Sequence, residues 1–204
     1  MPEDSGRYLA VGPRVGLRAF SLDDAEEFTA RARESRELHR PWLFPPCTTE
    51  TYRTYAATLT GDPARAGYLV CDREADGAIA GFVNINNIVR GAFRSGALGY
   101  GAFAHAAGRG LFTEALGVVI GYAFGPLDLH RLEANIQPGN LASRALVLRA
   151  GFRLEGFSPA MLFIGGAWRD HERWAITAPE PEPEPEPDPE PEPEPGPGSP
   201  RQRL

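Results

Sequence analysis

The chain has 204 residues with 21 basic and 27 acidic side chains and a formal net charge of -6, a length that fits one domain or one domain with an appendage. All the bases are arginine, which excludes lysine Schiff-base chemistry and the phosphate-gripping lysine of a P-loop. It has no basic run and no apolar run of about 18 residues, so direct nucleic-acid binding and a membrane partner are not expected.

Residues 1–13 are expected to form an N-terminal arm ahead of a single domain at 14–178. RVGLRAF (14–20) predicts a first strand. Ser21 then precedes LDDAEEFTARARES, a predicted helix with Ser21 as N-cap and Asp23 and Asp24 in its first turn. Pro41, Pro45 and Pro46 break the chain, and Thr48 or Thr49 caps a second helix ending near Gly61. GYLVCD (67–72) predicts a strand, and Ala75–Gly77 a turn. AIAGFVNINNI (78–88) follows as a strand, with Val83 and Ile85 on one face and Asn84 and Asn86 on the other. ALGYGAF (97–103) is a glycine-weakened strand. The clearest helix is 113–124, where Leu116, Val119, Ile120, Ala123 and Phe124 make one apolar stripe.

RLEANIQ (131–137) predicts the next strand, Pro138-Gly139 a turn, and Asn140 the cap of a helix reaching Ala150. Leu141, Ala145 and Leu148 are expected to be its buried stripe, and Gly151 its stop. Two strands, 152–164 and 167–176, meet at a Gly165-Gly166 hairpin turn. The order βααβββαβαββ predicts an α/β fold with a mixed sheet.

From Glu180 to Glu194 acids alternate with proline, and eight of the 27 acids lie there. The remaining 19 acids face 19 of the 21 arginines, so residues 1–178 are formally neutral. Proline removes backbone donors and forces its predecessor extended, and the like charges repel, so 179–204 is expected to be a disordered acidic tail. Such a tail is read as a solubilising appendage or as a means of capturing a basic partner. The first 20 residues lack the apolar segment of a signal peptide. Cys47 and Cys71 fit a reducing cytoplasm, where the protein is expected to reside. No Cys/His cluster has zinc-ligand spacing, and no metal is expected.

Strand 97–103 runs through HAAGRGLF into the strong helix. A Gly-x-Gly turn there (Gly108, Arg109, Gly110) lets backbone N–H groups and the helix dipole meet a phosphate, and Arg109 offers a cation. The same spacing also suits a plain strand-to-helix turn. It does not fit the dinucleotide fingerprint, whose third glycine position is Thr113 here.

Four segments, NNIVRGAFRSGALGY, GRGLFTEAL, HRLEANIQPGNLASRALVLRAGFRLEG and GGAWRDHERWA, together resemble the GNAT acetyltransferases. Within them the chain looks like the Rim type, which acetylates N-terminal alanine of ribosomal proteins. The resemblance covers about residues 14–178 and is strongest from Asn86 to Ala175. It implies a GNAT fold, a mixed central sheet flanked by helices. It also implies acetyl-CoA as co-substrate and, as acceptor, either the N-terminus of a ribosomal protein or a small amine. The family's phosphate-loop pattern falls on Ala107, Gly108, Arg109, Gly110, Leu111 and Phe112. Gly110 is kept, while Ala107 and Phe112 depart from it. Gly101, Ala102 and Phe103 match the strand that pairs with the pantetheine arm, with free N–H groups for the thioester oxygen. Asn140 matches the asparagine that contacts that arm.

The implied catalytic group is less complete. Ser143, one helical turn from Asn140, is a candidate to assist the thiol leaving group. A related Rim enzyme's base, a glutamate, falls on Asn135, and its tyrosine acid on Val147. Glu133, on the same strand face as Asn135, is a candidate base, and a water held by Asn135 is the alternative. Glu133 also suits an ion pair with Arg131 or Arg153. Asp170-His171 resembles the family's late DH pair and is expected to be a structural hydrogen-bonding pair, with binding of the substrate terminus as its second reading; Glu114 is expected to partner its helix dipole rather than to act in catalysis, and Trp42, Tyr52 and Tyr55 to be either core or groove lining. The missing base and acid keep a non-catalytic acyl-CoA-binding module open as a third reading.

Overall fold

The computed structural model describes residues 6–180; the expected acidic tail lies outside them from residue 181 onward. The chain forms one eight-stranded mixed sheet flanked by helices. The strands are β1 (Ala10–Val11), β2 (Val15–Ala19), β3 (Ala66–Asp72), β4 (Ala78–Val89), β5 (Ser95–Ala102), β6 (Arg131–Ile136), β7 (Arg153–Ile164) and β8 (Ala167–Thr177). The helices are α1 (Ala25–Glu34), α2 (Arg36–His39), α3 (Thr49–Gly61), α4 (Leu111–Phe124) and α5 (Leu141–Arg149). Two short elements, β1 and α2, were not expected. β1 lies inside the anticipated N-terminal arm and pairs with β2.

Local chemistry starts the helices where the sequence indicates. Ser21 and Asp24 form a reciprocal capping box on the 3-10 turn leading into α1. The Thr48 side chain accepts from Thr51 N–H to start α3, and Asn140 Oδ1 accepts from Ser143 N–H at 3.1 Å to start α5.

The sheet order is β1-β2-β3-β4-β5-β6-β8-β7. All neighbours are antiparallel except β5 and β6. Each face of the sheet carries a core. On one face α4 and α5 cover Val83, Ile85, Leu132, Ala134 and Trp174. On the other, α1 and α3 enclose Phe20, Phe28, Tyr52, Phe82 and Phe103. Tyr52 is therefore core, as one of its two readings held.

The stripe assigned to the helix after Asn140 needs correction. Leu141 is 67 % exposed and Leu148 63 %, while Val147 is fully buried. The cap fixes the rotation of α5. With Ser143 turned toward the β5–β6 gap, the turn that reaches the core is the one carrying Leu146 and Val147.

Candidate active site

Parallel pairing of β5 and β6 runs from Ser95–Arg131 to Leu98–Ala134 and stops. Beyond it β5 continues to Ala102 and β6 to Ile136 without facing each other. This splay opens a cavity of about 360 Å³. Trp42 forms part of its wall, its ring so close over the Pro138-Gly139 turn that a Cβ on Gly139 would lie 3.0 Å from it. Asn86, Tyr100, Asn135, Asn140, Ser143 and His171 bring the polar groups. A wider cavity of about 690 Å³ adjoins it, sharing Leu43, Gly99 and Tyr100 and adding Tyr55 and Asn84. Tyr55 hydroxyl accepts from Asn84 Nδ2 there, so Tyr55 and Trp42 line grooves where Tyr52 does not.

The edge of β5 decides which backbone groups a ligand can reach. Phe103 N–H donates to Ala80 O at 2.8 Å, and its ring is fully buried. The expectation that Phe103 offers a free donor is therefore corrected. Antiparallel bonding alternates, so Gly101 also turns its N–H toward β4. Tyr100 and Ala102 direct theirs into the splay. Ala102 O is already capped by His39 Nε2 at 2.7 Å. His39 is 3 % exposed. Burial lowers its pKa, the bond to Ala102 only partly opposing this.

β5 leads through a short turn to the N-terminus of α4. Gly108 (φ 74°) and Gly110 (φ 80°) both hold left-handed backbone, which glycine adopts without strain. No side chain caps α4, and a Cβ on Gly108 would meet nothing within 4 Å. The first turn of a 14-residue helix thus presents its N–H groups openly, with Leu111 buried as its first residue. Arg109 points elsewhere. Its guanidinium is 2.9 Å from the buried Asp72 carboxylate, so the cation expected at the phosphates is tied down at its outer edge. Arg14 lies closer to the turn: its Nη1 bonds Arg109 O at 3.2 Å. Its backbone N–H and Nε both bond Glu114.

The remaining predicted residues separate. Ser143 Oγ is 2.6 Å from the Tyr100 hydroxyl. Burial pushes the Tyr100 pKa up to about 12, the bond to Ser143 acting against it. Asn135 lines the cavity, and its buried Oδ1 has no hydrogen-bond partner among the described residues. Glu133 is held 2.9 Å from Arg131 Nε, while Nη2 of the same guanidinium binds Glu155, and Glu133 does not line the cavity. Asp170 and His171 do not bond each other: Asp170 accepts from Ala160 N–H, and His171 Nδ1 bonds Arg169 O. Adjacent strand residues face opposite ways, which is why the expected pair does not form. Tyr100 and His39 are the site residues that sequence reasoning missed, while His171, read there as one of a structural pair or as a contact for the substrate terminus, lines the cavity.

The profile described as "Acetyltransferase (GNAT) domain" matches residues 14–153. The chain belongs to the GNAT acetyltransferase family. A probable N-acetyltransferase of Bacillus subtilis, YjcK, is 31 % identical over 180 residues, 84 % of this chain and 98 % of that one. The [ribosomal protein uS5]-alanine N-acetyltransferase of Escherichia coli is 41 % identical over 102 residues, 50 % of this chain and 53 % of that relative. Among solved structures, Mycobacterium smegmatis RimJ in complex with CoA-disulfide superposes with a TM-score of 0.77 at 30 % identity. The superposition covers 83 % of this chain and 87 % of RimJ. As a GNAT member the protein is an N-acetyltransferase. No helix among the described residues is long and apolar enough to cross a membrane.

Proposed function

We propose that the protein transfers acetyl from acetyl-CoA to the N-terminal α-amino group of a ribosomal protein beginning with alanine. The observation that carries this reading is the chemistry of the splay. It holds backbone donors on one strand edge and a half-buried hydroxyl pair on one wall, and no carboxylate lines it among the described residues. A polycationic acceptor calls for acidic partners. A single α-amine needs only hydrogen-bond acceptors, and Asn135 Oδ1 is one without a partner. The 41 % identity to the uS5-alanine enzyme, within the half of the chain it spans, points the same way.

The residues present fit acetyl-CoA. Gly108, Gly110 and the open end of α4 would hold its pyrophosphate, and Asn140 and the β5 edge its pantetheine arm. When bound, it supplies an activated acyl carbon and a thiol leaving group. The chain's own part is positioning. Tyr100 and Ala102 N–H groups stabilise charge growing on the carbonyl oxygen. Asn135 orients the amine. An α-amine has a pKa of about 8, so roughly a tenth is neutral near pH 7 and deprotonation costs only about 1.4 kcal/mol per unit. The departing sulfur, of thiol pKa about 8.5, receives a proton from the Ser143–Tyr100 pair.

The test is a peptide with a free N-terminal alanine, assayed with acetyl-CoA beside its blocked counterpart and a panel of polyamines. Acetylation of the free peptide alone supports the proposal. Turnover of polyamines in preference to the peptide overturns it.

A further inference from the structure

We propose that His171 is the general base that takes the proton of the acceptor amine, with Asn135 steadying that amine beside it. This rests on the acetyl-transfer reading above and supplies the proton acceptor that reading lacks. The first support is elimination within the cavity. Among its lining residues only Tyr100 and His171 carry an ionisable side chain. Tyr100 is the wrong partner for an amine, since burial keeps its hydroxyl protonated and it is already joined to Ser143.

The second support is placement. Asn135 pairs with Arg173 across β6 and β8, and Ala134 with Trp174. Ala134 and Trp174 belong to the core under α4 and α5. Asn135, Arg173 and, by alternation along β8, His171 therefore share the opposite face. Tyr100 packs against the α4–α5 core, beside Ser143 of α5. The two proton-handling groups thus stand on opposite faces of the splayed strands. Attack on a thioester needs this division: the amine arrives on one side of the acyl carbon while sulfur departs on another.

The third support is the tautomer. His171 Nδ1 lies 2.9 Å from Arg169 O. A carbonyl oxygen only accepts, so Nδ1 carries the hydrogen and Nε2 keeps its lone pair. Nε2 has no hydrogen-bond partner among the described residues. The side chain is 1 % exposed, so the cavity is the route by which a substrate reaches it. Charged neighbours are accounted for on every side. Arg169 and Arg173 flank it on its own face of β8. Glu133 on β6 is bound to Arg131, and Glu172 is bound to Arg144 of α5. Asp170 accepts from Ala160, and Tyr100 stands across the cavity on β5.

The step balances. The amine nitrogen bonds the acetyl carbon and loses one proton to His171 Nε2, while the carbon–sulfur bond breaks. Sulfur takes a proton from the Ser143–Tyr100 pair, and the imidazolium returns its proton through solvent to that pair. Products are the amide and the free thiol.

His171→Asn is the informative variant, because its amide can still donate to Arg169 O while the base is gone. Acetylation of an alanine-terminated peptide is measured from pH 6 to pH 9.5, with CoA affinity and melting temperature alongside. The proposal expects kcat/KM at pH 7 to fall about 100-fold with CoA affinity unchanged. It also expects the deficit to shrink toward alkaline pH, where hydroxide replaces the base. A wild-type rate at pH 7, or a loss equal at every pH, overturns the assignment. If the enzyme prefers a small amine, the same profile with that amine decides His171, while the choice of acceptor alone decides the peptide reading.

Discussion

Tyr100 and Ser143, 43 residues apart, share a 2.6 Å hydrogen bond that joins β5 to the first turn of α5 across the splay. Burial holds the phenol protonated to about pH 12. The serine hydroxyl therefore keeps a protonated hydrogen-bonding neighbour. Ser143→Ala should lower kcat about tenfold, equivalent to about 1.4 kcal/mol, and Tyr100→Phe by a similar factor. The double variant should lose little more than either single one, because both remove the same relay. CoA affinity, measured by calorimetry, should stay put in all three. Losses that multiply would mean the hydroxyls act separately.

At the α4 turn the expected effect is on binding. Gly110 holds φ 80° as the N-cap, in a region costly for other residues, and a Cβ there would lie 3.4 Å from Arg14 Nη2. Gly110→Asp adds this strain and sets a carboxylate where the phosphates would sit. CoA affinity should drop at least 100-fold, with melting temperature changed by only a few degrees. Arg109→Ala should weaken CoA far less, because its guanidinium is already occupied by Asp72. Unchanged CoA binding in Gly110→Asp would remove the phosphate assignment.

What could be read from the sequence follows a physical divide. Helix starts depend on one or two neighbouring residues, so Ser21, Thr48 and Asn140 were legible as caps. The glycine turn ahead of α4 was legible because glycine at left-handed positions is a local demand. Side-chain partners set by tertiary structure were not. Arg109 looked like a free cation because Asp72, 37 residues earlier, gives no local sign of reaching it. Leu141 and Leu148 looked buried because hydrophobicity alone cannot set the rotation of a nine-residue helix whose cap already has. His171 was legible only as half of a dipeptide. Its partner is a backbone carbonyl, and its facing residue Asn135 is brought near by β6–β8 pairing.

His39 should make stability sensitive to mild acid. Its folded pKa lies below the ordinary 6.5 because burial disfavours the imidazolium. The unfolded chain therefore takes up the proton first. The stabilisation is full above pH 6.5 and is lost as pH falls through 6.5 toward the folded value. His39→Gln keeps a donor for Ala102 O and removes the titration. Urea unfolding at pH 7.5, 6.5 and 5.5 should show wild-type stability declining more steeply than the variant's. Parallel declines would assign the acid sensitivity to other groups.

Glu114 gives the complementary case at lower pH. Burial alone would raise its pKa, but hydrogen bonds from Arg14 N–H, Val15 N–H and the Arg14 guanidinium outweigh it and hold the carboxyl below the ordinary 4.5. The carboxylate fastens the start of β2 to the first turn of α4, where the helix dipole also favours a negative charge. Glu114→Gln keeps the shape and loses the charge. It should cost about 2 kcal/mol at pH 7, the size of a charged hydrogen bond in a partly buried setting. A depressed carboxylate stabilises fully above its unfolded pKa, and that contribution drains away as pH falls through the folded one. The gap between wild type and variant should thus be constant from pH 7 to about 5 and close progressively below 4.5. Because Arg14 also bonds Arg109 O, CoA affinity should weaken in the same variant by a few-fold as the turn loses its anchor. A stability gap that persists undiminished to pH 3 would show that shape and not charge carries the Glu114 contribution.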